Sequence, residues 1–266
     1  MAFGCGEVGR LCLAALAGVL FASPVLADDD DDEPDPAKIV FFGSLEAGPG
    51  KTFTSFGSKQ AFGADGLDAG GFRLMNKLGL SREQARRLVP RGKAYKVESQ
   101  FLIGYEWRFS DSFFSLYAGP DIEAEYRELG CGCYYGVSRI SARLQADLWA
   151  TPTDATMVQL SAYVSGLDRR AWGRLALGHK IDRGLHLGPE VELYRQSGYD
   201  KLRVGLHLTG LRLFGATWRL SGGWEDTSDR DVGAYATLGV HWTESSTALP
   251  AGSLPLPFQR RPQIRP

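Results

Sequence analysis

A chain of 266 residues with 30 Lys and Arg against 31 Asp and Glu has a formal charge of -1, so no basic excess points to nucleic acid. Mean hydropathy is -0.18, and beyond the first residues no apolar run approaches the roughly 20 residues a membrane helix needs. A membrane β-barrel stays open, because there only alternate residues are apolar.

The N-terminus predicts a secretory signal peptide over residues 1–27. Arg10 is its single basic residue, Leu11 to Ala22 forms the apolar stretch, and Pro24-Val-Leu-Ala27 places small or medium side chains before a cut after Ala27. An N-terminal anchor helix is the competing reading, but the run is too short and acids follow it at once. No cysteine follows the cut, so a lipid-anchored form is not expected. Residues 28–37, an aspartate run with two prolines, predict a disordered acidic segment; a calcium loop would need a turn-forming glycine that is missing.

Cys5 and Cys12 leave with the leader. Cys131 and Cys133 stay, in Gly130-Cys-Gly-Cys-Tyr134. They are read as a tight, reducible loop disulfide or a free pair, because zinc would need further ligands and no histidine is near in sequence.

From Lys38 the chain alternates. Ile39 to Ala47 is a first strand, Lys51 to Phe62 a weaker second, and Leu67 to Leu78 a third. Leu80 to Val89 has helical composition with Ser81 as N-cap and is placed as a short helix in a loop before Pro90. Val97, Phe101, Ile103, Tyr105 and Trp107 then share a face opposite Glu98, Gln100, Gly104, Glu106 and Arg108. Phe114 to Glu125, Ile140 to Leu148, Val158 to Val164, Ala171 to Lys180, Leu185 to Leu193, Tyr199 to Leu211, Trp218 to Glu225 and Val232 to Trp242 follow. The sharpest is Leu202, Val204, Leu206 and Leu208 against Arg203, Gly205, His207 and Thr209.

This is an all-β pattern of about twelve strands, read as a transmembrane antiparallel up-and-down β-barrel over residues 38–242. Its apolar face meets lipid and its polar face a lumen. Closure follows from the edge, since an unpaired backbone group in hydrocarbon costs several kcal/mol. A soluble sandwich or lipocalin-like barrel would turn the apolar face inward, and the latter has about eight strands. With the N-terminus in the periplasm, the longer connections Gly79 to Gly92 and Arg127 to Gly136 are expected outside. Trp107, Phe109, Phe214, Trp218 and Trp242 are expected near the periplasmic rim and Trp224 near the outer one. Residues 243–266 predict a Pro-rich disordered tail.

Leu116-Tyr-Ala-Gly-Pro-Asp121, Leu148-Trp-Ala-Thr-Pro-Thr153, Leu187-Gly-Pro-Glu190, Tyr199-Asp-Lys-Leu-Arg-Val-Gly205 and Gly233-Ala-Tyr-Ala-Thr-Leu-Gly239 resemble the BcsS-type cellulose biosynthesis proteins of alphaproteobacteria, over roughly Phe41 to Trp242. The resemblance implies an outer-membrane barrel of a Gram-negative cell that assists cellulose export or its regulation. It implies outer-membrane lipid, cellulose or cellulose-synthase export components as partners. It supplies no catalytic residues and no cofactor.

The expected inward face carries Glu98, Glu106, Asp121, Glu123, Glu125, Asp147, Glu190, Glu192 and Glu225, with Arg139, Arg143, Arg174, Arg203 and Arg219. Charges of both signs predict a mutually neutralising network that stiffens the barrel. A sharper reading is a polar track for a glycan, with stacking faces on Tyr117, Trp149, Tyr163, Tyr194 and Tyr235. The lumen candidates for binding are Tyr117, Asp121, Glu123, Trp149, Glu190, Glu192, Tyr194 and Arg203. An enzyme is not expected. None of His179, His186, His207 and His241 lies in a nucleophile motif, and Glu190 and Glu192 on one strand face cannot flank a glycosidic bond. A small-solute porin and a lipid-modifying barrel enzyme are the alternatives.

Overall fold

The computed structural model describes residues 36–63, 65–85, 92–128, 134–182 and 184–243. The leader, both remaining cysteines and the tail from residue 244 lie outside them. Twelve strands form: β1 (Ile39–Ala47), β2 (Lys51–Ala61), β3 (Gly71–Ala85), β4 (Gly92–Arg108), β5 (Ser112–Glu128), β6 (Tyr134–Thr153), β7 (Thr156–Ser165), β8 (Arg170–Asp182), β9 (Leu185–Gln196), β10 (Tyr199–Leu213), β11 (Ala216–Thr227) and β12 (Arg230–Thr243). Each pairs antiparallel with its sequence neighbours, and β1 pairs with β12 from Val40↔Thr243 to Ala47↔Ala236. The sheet is a closed up-and-down barrel, as the alternation predicts.

Because side chains alternate across a strand, closure separates the residues into two environments. On β10, Leu202, Val204 and Leu206 are 40%, 51% and 60% exposed on the outside, while Arg203 and His207 are 4% and 1% exposed inside. Apolar exterior residues recur on β4 (Phe101, Ile103), β6 (Ile140, Leu144) and β9 (Leu187, Leu193). An outward apolar face around a polar interior is the arrangement a membrane-spanning barrel requires. Exterior rings gather at the end that holds both termini of the barrel. Phe41, Phe56 and Trp242 pack at centroid distances of 5.7–6.2 Å. Phe72, Tyr105, Trp107 and Phe114 form a second chain at 4.9–5.6 Å. Trp224 stands exposed toward the opposite rim.

The connections show how little chain the turns need. Phe214 (φ 55°) and Gly215 (φ 73°) close the β10–β11 hairpin with two residues in the left-handed region, the twist a tight hairpin needs. Gly210 (φ 95°) makes the bulge where the β10–β11 register shifts between Thr209 and Leu211.

Three expectations need correction. The helix over Leu80 to Val89 is strand up to Ala85: β3 pairs with β4 as far as Ala85↔Gly92, with Leu80 outward and Ser81 buried inward. Strand partners on both sides satisfy this backbone, which outweighs a local helical composition; residues 86–89 lie outside the described residues. The third strand starts at Gly71, not Leu67, because Leu67 turns inward in the connection Phe62 to Gly70 and is buried. That connection lies at the end of the termini, and its Leu67 N–H donates to the Ala37 carbonyl. The long outer connections expected at Gly79 to Gly92 and Arg127 to Gly136 are largely strand as well: β3 to β6, of 15 to 20 residues, pair as far as Ala85↔Gly92 and Glu128↔Tyr134.

A charge on the outward face separates a lipid-facing barrel from a water-facing one. In phospholipid vesicles, Leu206→Arg is expected to lower the unfolding free energy by about 2–4 kcal/mol, and Phe214→Arg at the rim by about 0–1 kcal/mol. Urea titration followed by tryptophan fluorescence reads both.

Candidate functional site

Inward-facing ionisable residues of the twelve strands converge in the lumen and arrange themselves in three groups. The first surrounds Glu106, which is 0% exposed. Its carboxylate accepts from Lys59 and Arg108 at 2.9 Å, Ser115 at 3.1 Å and Arg73 at 3.5 Å. Arg73 also donates to the Ala69 carbonyl, so this group holds the Phe62 to Gly70 connection against the wall.

The second group surrounds Glu123, which accepts from Arg139 (2.5 Å) and from Arg170. Arg139 also reaches Asp168 at 2.5 Å and Arg170 reaches Glu98 at 3.4 Å. Asp168 and Arg169 sit at φ 49° and 52°, a conformation that costs about 1–3 kcal/mol for such residues. The ion pairs of Asp168 and the bond from Ser197 N–H to its carbonyl offset that strain.

The third group surrounds Arg203. It donates to Glu225 at 2.7 Å, Glu46 at 2.8 Å and Glu192 at 3.2 Å, and its guanidinium lies 4.8 Å from the Tyr235 ring centroid. Lys201 meets Glu192 at 2.7 Å. Next to it, Glu190 accepts from Arg219 and from the Tyr235 hydroxyl at 2.9 Å. An unpaired charge here would carry a desolvation cost of several kcal/mol, and Glu106, Glu123, Glu190 and Glu192 each have two or more donors.

Among these groups lies a cavity of about 940 Å³, within the range of small-molecule sites. Of the residues singled out from sequence, Tyr117, Trp149, Glu192, Tyr194 and Arg203 line it, while Asp121, Glu123 and Glu190 sit in the wall network. Tyr117 packs with Met75 and Leu102 in a small apolar cluster, and Trp149 stacks on Phe113 at 6.3 Å. Asp121 faces Arg143 at 3.7 Å. The Tyr194 hydroxyl donates to Gln196 at 2.5 Å.

The register places Tyr163, Trp172 and Tyr194 directly across from one another on β7, β8 and β9, a belt of three rings at one level of the lumen wall. Tyr163 and Trp172 stack at 5.5 Å, and the Arg143 guanidinium lies over the Tyr163 ring at 3.4 Å. Sequence reading named the two tyrosines but not Trp172, nor Lys59, Lys77, Arg73 and Arg170. On β8, Trp172 and Arg170 share the parity of Arg174, which the sequence already places inward, and that signal would have found them.

The His207 ring is held between the Thr209 hydroxyl (2.9 Å) and the Leu177 carbonyl (3.1 Å), a structural position on both nitrogens. Among the described residues no group of three or more His, Cys, Asp or Glu is arranged to hold a metal ion.

The sequence matches the family described as cellulose biosynthesis protein BcsS over residues 40–244. Among solved structures the chain is similar to the KdgM porin, at 15% identity over 76% of this chain and 98% of that one, with a TM-score of 0.43. It is also similar to the β-domain of the Bordetella autotransporter Brka, at 12% identity over 79% and 100% with a TM-score of 0.45. The TodX monoaromatic hydrocarbon channel gives 7% identity over 80% and 91% with a TM-score of 0.48. These are likenesses of fold alone. Comparison with curated proteins gives no match.

Glu106 tests the wall network. Glu106→Gln keeps the shape but leaves Lys59, Arg73 and Arg108 facing a neutral group, and is expected to cost about 3 kcal/mol in the same urea titration. Asp200→Asn, which removes the exposed Arg195 partner, is expected to leave the midpoint where it was.

Proposed function

The chain belongs to the BcsS family of cellulose biosynthesis proteins, and from that premise we propose that it is a non-enzymatic outer-membrane β-barrel that assists cellulose secretion. The observation that supports this reading is the in-register belt of Tyr163, Trp172 and Tyr194 on the wall of the cavity. Aromatic faces pack against the C–H faces of a sugar ring, and the surrounding carboxylates and guanidiniums offer acceptors and donors to hydroxyls. Outer-membrane residence follows from the apolar exterior and from the secretory leader read in the sequence. Partners on this reading are outer-membrane lipid and either cellulose itself or components of the cellulose-synthase export system.

The non-enzymatic role draws on the state of the ionisable groups. Glu106, Glu123, Glu190 and Glu192 are each bound to cations, and His207 is bound on both nitrogens. A general base needs a free lone pair within reach of a nucleophile.

Deletion of the gene is expected to lower surface cellulose, measured by dye binding and by acid-resistant glucose, with recovery on return of the wild-type copy. Trp172→Ala is expected to restore less than wild type while reaching the outer membrane in equal amount. Unchanged surface cellulose in the deletion strain would reject the proposal.

A further inference from the structure

Nine cationic side chains line the cavity against five carboxylates, and carboxylates set back in the wall take up four of the nine: Glu106 holds Lys59 and Arg108, Asp121 faces Arg143 and Glu225 holds Arg203. Most of the five are already engaged: Glu46 and Glu192 by Arg203, and Glu98 by Arg170. Lys77 and Arg174, in contrast, have no carboxylate partner among the described residues. Lys77 is held only over the Phe53 ring at 5.6 Å, and Arg174 only near the Trp172 ring at 5.7 Å.

Their placement is what gives the excess meaning. Lys77 on β3 lines the same cavity as Arg143 on β6 and Arg174 on β8 and lies in their electrostatic field as well as in that of Glu46 and Glu98. Arg143 and Arg174 flank the ring belt, and the Nε–H group of each is buried with no acceptor among the described residues. Buried donors in folded proteins nearly always have an acceptor. Lys77 and Arg174, which lack a carboxylate, and the unused Nε–H groups of Arg143 and Arg174 therefore mark a position for an anion, and the adjoining rings mark a flat, C–H-rich body attached to it.

We propose that Lys77, Arg143 and Arg174, with the Tyr163–Trp172–Tyr194 belt, form a binding site for an acidic saccharide whose carboxylate meets the cations while its sugar faces stack on the rings. The proposal rests on reading the lumen as a saccharide site, and not on the part the barrel plays in cellulose secretion. It sets the charge of the preferred ligand, which the cellulose reading leaves neutral. A guanidinium in a partly desolvated site binds a carboxylate bidentately, whereas a neutral hydroxyl satisfies it only as a single acceptor.

Isothermal titration of the full chain refolded in detergent tests this with three probes: cellotetraose, the same tetramer oxidised at C6 to glucuronate, and sodium sulfate. The oxidised tetramer is expected to bind at least about tenfold more tightly than the neutral one, with an affinity that falls as salt rises. Lys77→Gln and Arg174→Gln are each expected to weaken it by about tenfold, and Trp172→Ala to weaken both tetramers. The heat-dependent electrophoretic shift of a folded barrel confirms that each variant is folded, and Asp200→Asn serves as a folded control with wild-type affinity. Equal or tighter binding of the neutral tetramer overturns the acid preference and leaves the cellulose reading standing. Displacement of the oxidised tetramer by sulfate at equal concentration overturns the saccharide part. Unchanged affinity in both Gln variants overturns the site.

Discussion

Everything in this molecule depends on the ladder between β1 and β12. In hydrocarbon an open edge would leave a row of backbone N–H and C=O groups without partners, at several kcal/mol each. The pairing from Val40↔Thr243 to Ala47↔Ala236 removes that edge. Once the sheet is closed, strand pleating leaves each side chain one of two places, outside or inside. The apolar exterior of β10 and the buried Arg203 and His207 follow from this one geometric fact.

Closure also creates the problem that the lumen solves. It brings Lys, Arg, Glu and Asp from strands all around the barrel into a confined space where charges are poorly screened. The chain answers with shared partners: Glu106 holds Lys59, Arg73 and Arg108, and Arg203 holds Glu46, Glu192 and Glu225. These groups join strands that are not neighbours. They stiffen the wall, pin the Phe62 to Gly70 connection and compensate the left-handed Asp168. What they leave without a carboxylate partner among the described residues are Lys77 and Arg174, each of which lies beside a ring.

How much of this was legible in the sequence differs from strand to strand. β10 was plain because its apolar residues face lipid and its polar ones face water, without exception from Leu202 to Thr209. β2 was weak for a physical reason. Its outward residues include Thr52, Thr54 and Ser58, and the inward Phe53 lies under Lys51 and Lys77, so the contrast between its two faces is blurred. The far end of β3 read as a helix because Leu80 to Ala85 carries good helix formers, and only the partner strands decide otherwise. For the lumen, alternation told which residues face inward but not which meet. Arg203 and Glu46 lie 157 positions apart and are joined only through closure.

The most direct test of the account is the lipid or water exposure of each residue along β10. Single cysteines placed from Leu202 to Leu208, in a chain with its own cysteines changed to serine, can carry spin labels in phospholipid vesicles. Oxygen, which partitions into lipid, is expected to relax labels at 202, 204, 206 and 208, and a water-soluble nickel chelate is expected to be less effective there than at 203, 205 and 207. The opposite phase, or no period of two, would contradict a barrel whose apolar face meets the acyl chains.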